Sequence, residues 1–340
     1  MEKSFLLLLF KNEDFFLPLA CFRLSPMLSF VARRLLGMAA VLAFVAVGVF
    51  VIARVMPGDP ATILVGDNAS PEAAALMRAS LGLDEPVPVQ FAIWLWHMVR
   101  GDLGQSIFLG EPVLTLLAQR AEPTTALTLM ALAVAICIAL PAGIVAAILR
   151  DTAADRAILT FSMLGASIPS FWLGLLFISW FSVGQGWFPV SGYGPPGADF
   201  LERLRYLMLP AIVLGIVNAA LITRFTRNAM LDVLHEDFIL TCRAKGLPGW
   251  SVVLKHAFRN AFIPILTVLG LSLALLLGGA IVTETVFALP GIGNLVVSAV
   301  LRRDYPVIQG ALLVIAFIYV SVNLAIDLLY AVIDPRVRLR

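Results

Sequence analysis

Six apolar runs, each about 20 residues or longer, take up nearly half of this 340-residue chain: roughly 35–55, 124–148, 158–183, 207–227, 262–286 and 308–331. A helix needs about 20 apolar residues to cross the hydrocarbon core of a bilayer. Apolar residues are 60% of the sequence and charged residues 14%, more apolar surface than a water-soluble domain of this length can enclose. Lipid must therefore be the main solvent. A backbone amide or carbonyl finds no partner in lipid, so each run is expected to be a helix. The expected fold is an all-α integral membrane protein with six transmembrane helices.

Orientation follows from the basic residues. With both termini cytoplasmic, and charges at helix ends given to the nearer side, 16 of the 24 Lys and Arg residues fall inside and 8 outside. The 22 Asp and Glu residues divide 10 inside and 12 outside, so the bias belongs to the positive charges, as the positive-inside rule requires. Arg150 and Arg156 in the short 149–157 loop, and Arg336, Arg338 and Arg340 in the tail, anchor the cytoplasmic side. Residues 56–123 become an external excursion, and 228–261 the main cytoplasmic loop.

The excursion has its own signals. Pro57 and Pro60 stop the first helix. Ser70-Pro71-Glu72 starts a short helix, with Ser as N-cap, Pro at the first position and an acid in the first turn. Residues 88–99, with Phe91, Trp94 and Trp96, either lie at the membrane surface or cap the bundle, and 101–104 form a turn. At the other extreme, residues 1–26 carry an apolar run too short to span, broken at Lys11, with no clean cleavage site. They are read either as lying upstream of a natural start at Met27 or as a short cytoplasmic tail, leaving 27–340 as one membrane domain.

Within the spans, Pro141 and Pro169 are expected to interrupt helices two and three. Gly270, Ala274 and Gly278 recur every four residues, a small-residue stripe for tight packing or for lining a pathway. Glu284 and Asp327 lie near lipid depth, where a carboxylate should face protein or water. Glu284, with Gly278 and Gly279, is a candidate for a pathway or gate, whereas Asp327 is expected to make a structural bond. Cys21, Cys137 and Cys242 form no CxxC pair, and no Cys or His set has zinc spacing, so no metal site is expected. No catalytic residues are expected either: the spans hold no paired aspartates, Ser–His arrangement or HExxH. The four lysines, Lys3, Lys11, Lys245 and Lys255, lie outside any GxxxxGK[ST] phosphate loop.

The polar anomaly is the stretch 237–264, DFILTCRAKGLPGWSVVLKHAFRNAFIP. Gly246 can stop a helix just after Lys245, Pro248-Gly249 forces a turn, and a second helical stretch returns to the membrane. Phe238, Ile239, Cys242, Leu247, Trp250, Val253 and Leu254 interleave with Arg243, Lys245, Lys255 and Arg259. Such a basic amphipathic hairpin could bind anionic headgroups, serve as a solvated connector, or dock in a groove on a partner.

Thr241, Arg243, Ala244, Lys245, Gly246 and Leu247, followed by His256, Ala257, Arg259, Asn260 and Pro264, resemble the cytoplasmic coupling loop of ABC importer permeases, in the oligopeptide/dipeptide variant. Leu240-Thr241-Cys242 stands where the wider class has Glu-Ala-Ala, and Phe258-Arg259 where it has Leu-Pro, departures that point to the peptide branch. PGDP (57–60), LGLDEP (81–86), GDLGQS (101–106), ETVFALPGIG (284–293), RRDYPVIQG (302–310) and DLLYAVIDPRVR (327–338) extend the resemblance over 27–340. It implies a type I importer permease fold and a multi-pass protein of the bacterial cytoplasmic (inner) membrane. It also implies partners: a second, homologous permease, two cytoplasmic ATPase subunits that hold ATP and Mg, and an external or periplasmic substrate-binding protein. The chain itself would bind no cofactor, and no partner but protein and membrane lipid is implied; nucleic acid is not. Nickel or glutathione are the alternative substrates within the family. A secondary transporter would be expected to show ionisable residues near the midplane, and this chain has few.

Overall fold

The computed structural model describes residues 26–55, 65, 70–80 and 82–333. The N-terminal extension before 26, the 57–60 stop signal, Leu81 and the tail with Arg336, Arg338 and Arg340 lie outside the described residues. Among the described residues the secondary structure is helical, with one isolated bridge between Gln105 and Pro112.

The elements are α1 (Pro26–Val55), α2 (Pro71–Ser80), α3 (Val87–Val99), α4 (Val113–Ile148), α5 (Ala153–Ser167), α6 (Ser170–Gly184), α7 (Phe200–Leu234), α8 (Asp237–Ala244), α9 (Gly249–Val286), α10 (Ile292–Arg302) and α11 (Tyr305–Ile333). Helices α1, α4, α7, α9 and α11 are long and apolar enough to cross a membrane, and α5 with α6 supplies a sixth span if the pair is counted as one. That pair is bent by 95°. The expectation of one interrupted helix over 158–183 is corrected here to two helices. Ile168, forced out of the helical region by the proline that follows, has ψ 125°, and Pro169 itself is extended at ψ 130°. Pro141, by contrast, sits inside an α4 that continues unbroken to Ile148.

Several helices run well past their apolar runs. The start of α4 lies at Val113 because Val113, Leu116 and Leu117 pack on Ile292, Leu295 and Val296 of α10. Asp199 starts α7, its carboxylate accepting from the Glu202 amide at 2.8 Å in an Asp-x-x-Glu cap. Likewise Ser70 accepts from the Ala73 amide at 3.2 Å to start α2. On α3, Phe91 and Trp94 pack on Phe50 of α1, with ring centroids 5.1 and 5.5 Å away, and no α3 residue is buried. The aromatic segment thus leans on the outer end of α1 and does not cap the bundle.

The centre of the fold is the pair α4 and α7, lying side by side and running parallel. Ala131, Ala135, Ala139, Gly143 and Ala147 recur every four residues on α4, and all are buried. They face Ala211, Gly215, Ala219 and Ala220 of α7, also buried. A Cβ on Gly143 would lie 2.6 Å from Thr226 Cβ, and one on Gly215 would lie 2.6 Å from Val134 Cγ1. Neither glycine has room for a side chain. Around this pair α9 packs with Gly279 against Leu214, α11 packs on α9 with Ile326 over Gly270, and α1 packs on α11 through the Arg34–Asp327 ion pair at 2.8 Å. Asp327 thus makes the structural bond expected of it.

Gly143→Val should force α4 and α7 apart, a strain of about 1–3 kcal/mol. Thermal unfolding of the detergent-solubilised protein should show a midpoint several degrees lower than wild type. An unchanged midpoint would mean that the helices do not touch there.

Candidate functional site

The hairpin expected at 237–264 is present, and its local chemistry explains its shape. α8 ends at Ala244, and Gly246 follows with φ 75°, a left-handed conformation that suits glycine. The Gly246 amide donates to the Arg243 carbonyl at 2.9 Å and the Leu247 amide to the Cys242 carbonyl at 3.4 Å, closing the helix end as a Schellman motif. Extended Pro248 then opens α9. The first two turns of α9 include a π-helical stretch, Val252–Ala257, which carries Lys255 and His256. Beyond it, Asn260 donates to the His256 carbonyl at 2.8 Å, and Arg259 is exposed.

One face of the hairpin is anchored. Ile239, Val252 and Ala257 are fully or almost fully buried in a cluster with Met230, Ala261 and Ile265, and Cys242 and Val253 pack against it. The opposite face is uncovered: Phe238, Leu240, Leu247 and Leu254 are exposed, and Trp250 is 71% exposed. Thr241, Arg243, Ala244, Lys245 and Gly246 lie on or beside that face, all exposed. Arg243, Lys245, Lys255 and Arg259 make no ion pair with any described residue. The structure therefore brings the sequence-derived loop residues onto one small projection, held from behind and bare in front.

The root of the hairpin is braced by a group that sequence reasoning missed. Arg227, near the end of α7, donates two hydrogen bonds to the Asp155 carboxylate, at 2.7 and 2.6 Å. The Asp151 amide adds a third at 3.0 Å. Asp155 is 2% exposed. Eight residues after Arg227, at the turn into α8, the His235 ring meets Arg150 at 3.0 Å. The 149–157 loop, α7 and the hairpin are thereby joined at one end of the bundle. An acid three positions after the α5 N-cap, Thr152, reads in sequence only as a helix-start signal, so the pairing had no local signature.

At the other end, Glu284 is fully buried. Its carboxylate accepts from the Thr124 hydroxyl at 2.6 Å and from the Asn294 amide at 3.1 Å, while Thr124 Oγ1 in turn accepts from the Ile292 amide at 2.8 Å. A side chain from the end of α9 and another from α4 thus cap the N-terminus of α10, where free amides and the helix dipole favour an anion. Cβ atoms on Gly291 or Gly293 would strike this carboxylate, which explains both glycines in ETVFALPGIG. Gly278 and Gly279 do not join Glu284 on one surface. Gly279 packs on Leu214, whereas Gly278 lies on an exposed stripe of α9 with Leu271, Leu275, Val282 and Thr285. Nearby in the 185–199 loop, the Tyr193 hydroxyl donates to Glu122 at 3.2 Å, and Arg203 pairs with the same carboxylate. Burial first, and then the Glu122 charge, push the Tyr193 hydroxyl above its ordinary range.

A helical, multi-pass bundle with these features has the fold of a type I ABC importer permease. A chain of the MetNI methionine ABC transporter, in an inward-facing conformation, superposes with a TM-score of 0.56 at 20% identity, covering 66% of this chain and all of that one. The family described as "Binding-protein-dependent transport system inner membrane component" matches residues 139–339, and its N-terminal counterpart matches 27–128. This chain belongs to that family. A Brucella abortus permease protein assigned by its name to a peptide transport system is 44% identical over 312 residues, 92% of this chain and 99% of that protein. The glutathione transport system permease protein GsiC of Salmonella choleraesuis is 42% identical over 312 residues, with the same shares covered.

Removing one partner of the Asp155–Arg227 pair leaves the other without the two hydrogen bonds between them, a loss of about 1–3 kcal/mol. Asp155→Ala and Arg227→Ala should each lower thermal stability, and the double variant should lose less than the sum. Strict additivity would show that the pair is not coupled. For Glu284, the isosteric Glu284→Gln should keep one acceptor and retain most of the stability, whereas Glu284→Leu should lose the cap and unfold at a clearly lower temperature. Equal midpoints for the two variants would remove Glu284 from the cap.

Proposed function

We propose that this chain forms half of the translocation pathway of an ATP-driven importer of di- or oligopeptides in the bacterial inner membrane. The observation that carries the proposal is the hairpin: a projection braced by buried contacts and an ion pair, yet presenting Trp250, Leu247 and four cations with no ion-pair partner among the described residues. Such a surface suits a cleft on a cytoplasmic ATPase, where an amphipathic helix buries its apolar residues and finds counter-charges. Closure of the ATP sites would swing α8, and the α4–α7 unit would follow as a rigid body. ATP and Mg would reside on the two ATPase subunits, so this chain acts as the non-catalytic part. A second, homologous permease would face the exposed α9 stripe of Leu271, Leu275, Gly278 and Val282, with the pathway between the two.

The names of the relatives support peptide-like cargo. One system is named for peptides and the other for glutathione, which is itself a tripeptide. Glutathione is therefore the second reading.

Gly246→Leu would place a side chain at φ 75°, a strain of about 1–2 kcal/mol that reshapes the hairpin tip. Together with the double change Arg243→Glu and Ala244→Glu, it should cut uptake of radiolabelled dipeptide at least tenfold in cells, with normal amounts of the chain in the membrane. Co-purification of the ATPase subunits should fall in parallel. Undiminished uptake in both variants would sink the coupling role.

A further inference from the structure

At the end of the bundle opposite the hairpin, a cavity of about 150 Å³ lies between α4, α10 and the 102–112 loop, its walls including Arg120, Arg302, Ser298, Leu295, Phe108 and Leu109. Two of these are arginines, Arg120 half-buried and Arg302 exposed, and neither guanidinium makes a hydrogen bond or ion pair with a described residue. The carboxylate in the same wall, Asp304, is 3% exposed and already engaged. It accepts from the Ser106 hydroxyl at 2.5 Å and from the Ile107 and Phe108 amides at 3.2 and 3.5 Å. Those bonds hold the 102–112 loop on the α10–α11 turn, and the two arginines of the lining outnumber its one carboxylate. The cavity is therefore a cationic recess with a fixed floor. Phe108 and Leu109, each about half exposed, form an apolar lip.

We propose that this recess receives a single acidic side chain, Asp or Glu, from the external substrate-binding protein, with a neighbouring apolar residue of that protein resting on Phe108 and Leu109. This rests on the reading of the chain as part of a binding-protein-dependent importer. Charge complementarity argues for a carboxylate, since a guanidinium presents paired donors in a plane that matches one. Size argues for one side chain, because the volume is too small for a whole peptide. Position argues for a docking contact, because no α9 residue lines the recess and the exposed α9 stripe lies elsewhere.

The test uses the complete transporter, reconstituted in proteoliposomes with its partner permease and ATPases, and titrated with purified substrate-loaded binding protein. ATP hydrolysis is read as a function of binding-protein concentration. Arg120→Gln and Arg302→Gln should each raise the half-saturating concentration about tenfold, the effect of losing one charge-assisted contact, while leaving the maximal rate within twofold. Salt should weaken stimulation of the wild type more than that of the double variant. Arg303→Gln, next to the recess but not lining it, should titrate like wild type. Because Arg302 is exposed, its variant does not depend on core packing, and it keeps the test valid if Arg120→Gln assembles poorly. A half-saturating concentration unchanged by Arg302→Gln overturns the proposal. So does a shift in the dependence on peptide concentration at saturating binding protein, which would make the recess a substrate site. If wild-type proteoliposomes show no stimulation by binding protein at all, it is the importer reading that falls.

Discussion

Lipid chains are as apolar as leucine, so burying leucine against leucine gains little inside a membrane, and helix contact rests on shape and on hydrogen bonds. The shape this fold depends on is the alanine–glycine seam between α4 and α7. Close approach over Ala131, Ala135, Ala139, Gly143 and Ala147 lets dispersion forces act along several turns of two parallel helices. Helices α5, α6 and α9 pack on this pair, α11 on α9, and α1 on α11. Every proposed movement of the hairpin is a movement of this seam as one body.

The polar ties occur mainly at the two ends of the bundle, and they join segments far apart in sequence. Asp155 and Arg227 are 72 residues apart, Thr124 and Glu284 are 160 apart, and Ser106 and Asp304 are 198 apart. Between the ends the contacts are almost wholly apolar. Such a bundle is stiff where its helices are tied and can shear where they are merely packed.

Much of this was legible in the sequence. Five of the six apolar runs fall in helices long and apolar enough to span, because lipid leaves the backbone little choice but a helix; the sixth, 158–183, falls on the bent pair α5 and α6. Gly246 and Pro248 located the hairpin turn, because a left-handed glycine and a proline have few uses side by side. The alanine seam of α4 was also readable: its four-residue period is as regular as the Gly270–Ala274–Gly278 stripe, of which only the first two members pack tightly. What could not be read were the long-range pairs. Thr124, Asp155 and Asp304 are ordinary residues for a helix start or interior, and only the fold brings their partners to them. The 95° break at Pro169 lies between these extremes, since proline forecasts a disturbance but not its size.

The spacing of Asp155 and Arg227 bears on how such a chain is made. Synthesis proceeds from the N-terminus, so the acid leaves the ribosome 72 residues before the base that satisfies it. Until Arg227 arrives, water at the membrane boundary must solvate Asp155, which keeps the start of α5 from sinking deeper. The pair closes only once α7 is in place. It is then a mark of completed insertion, set at the point from which the hairpin projects.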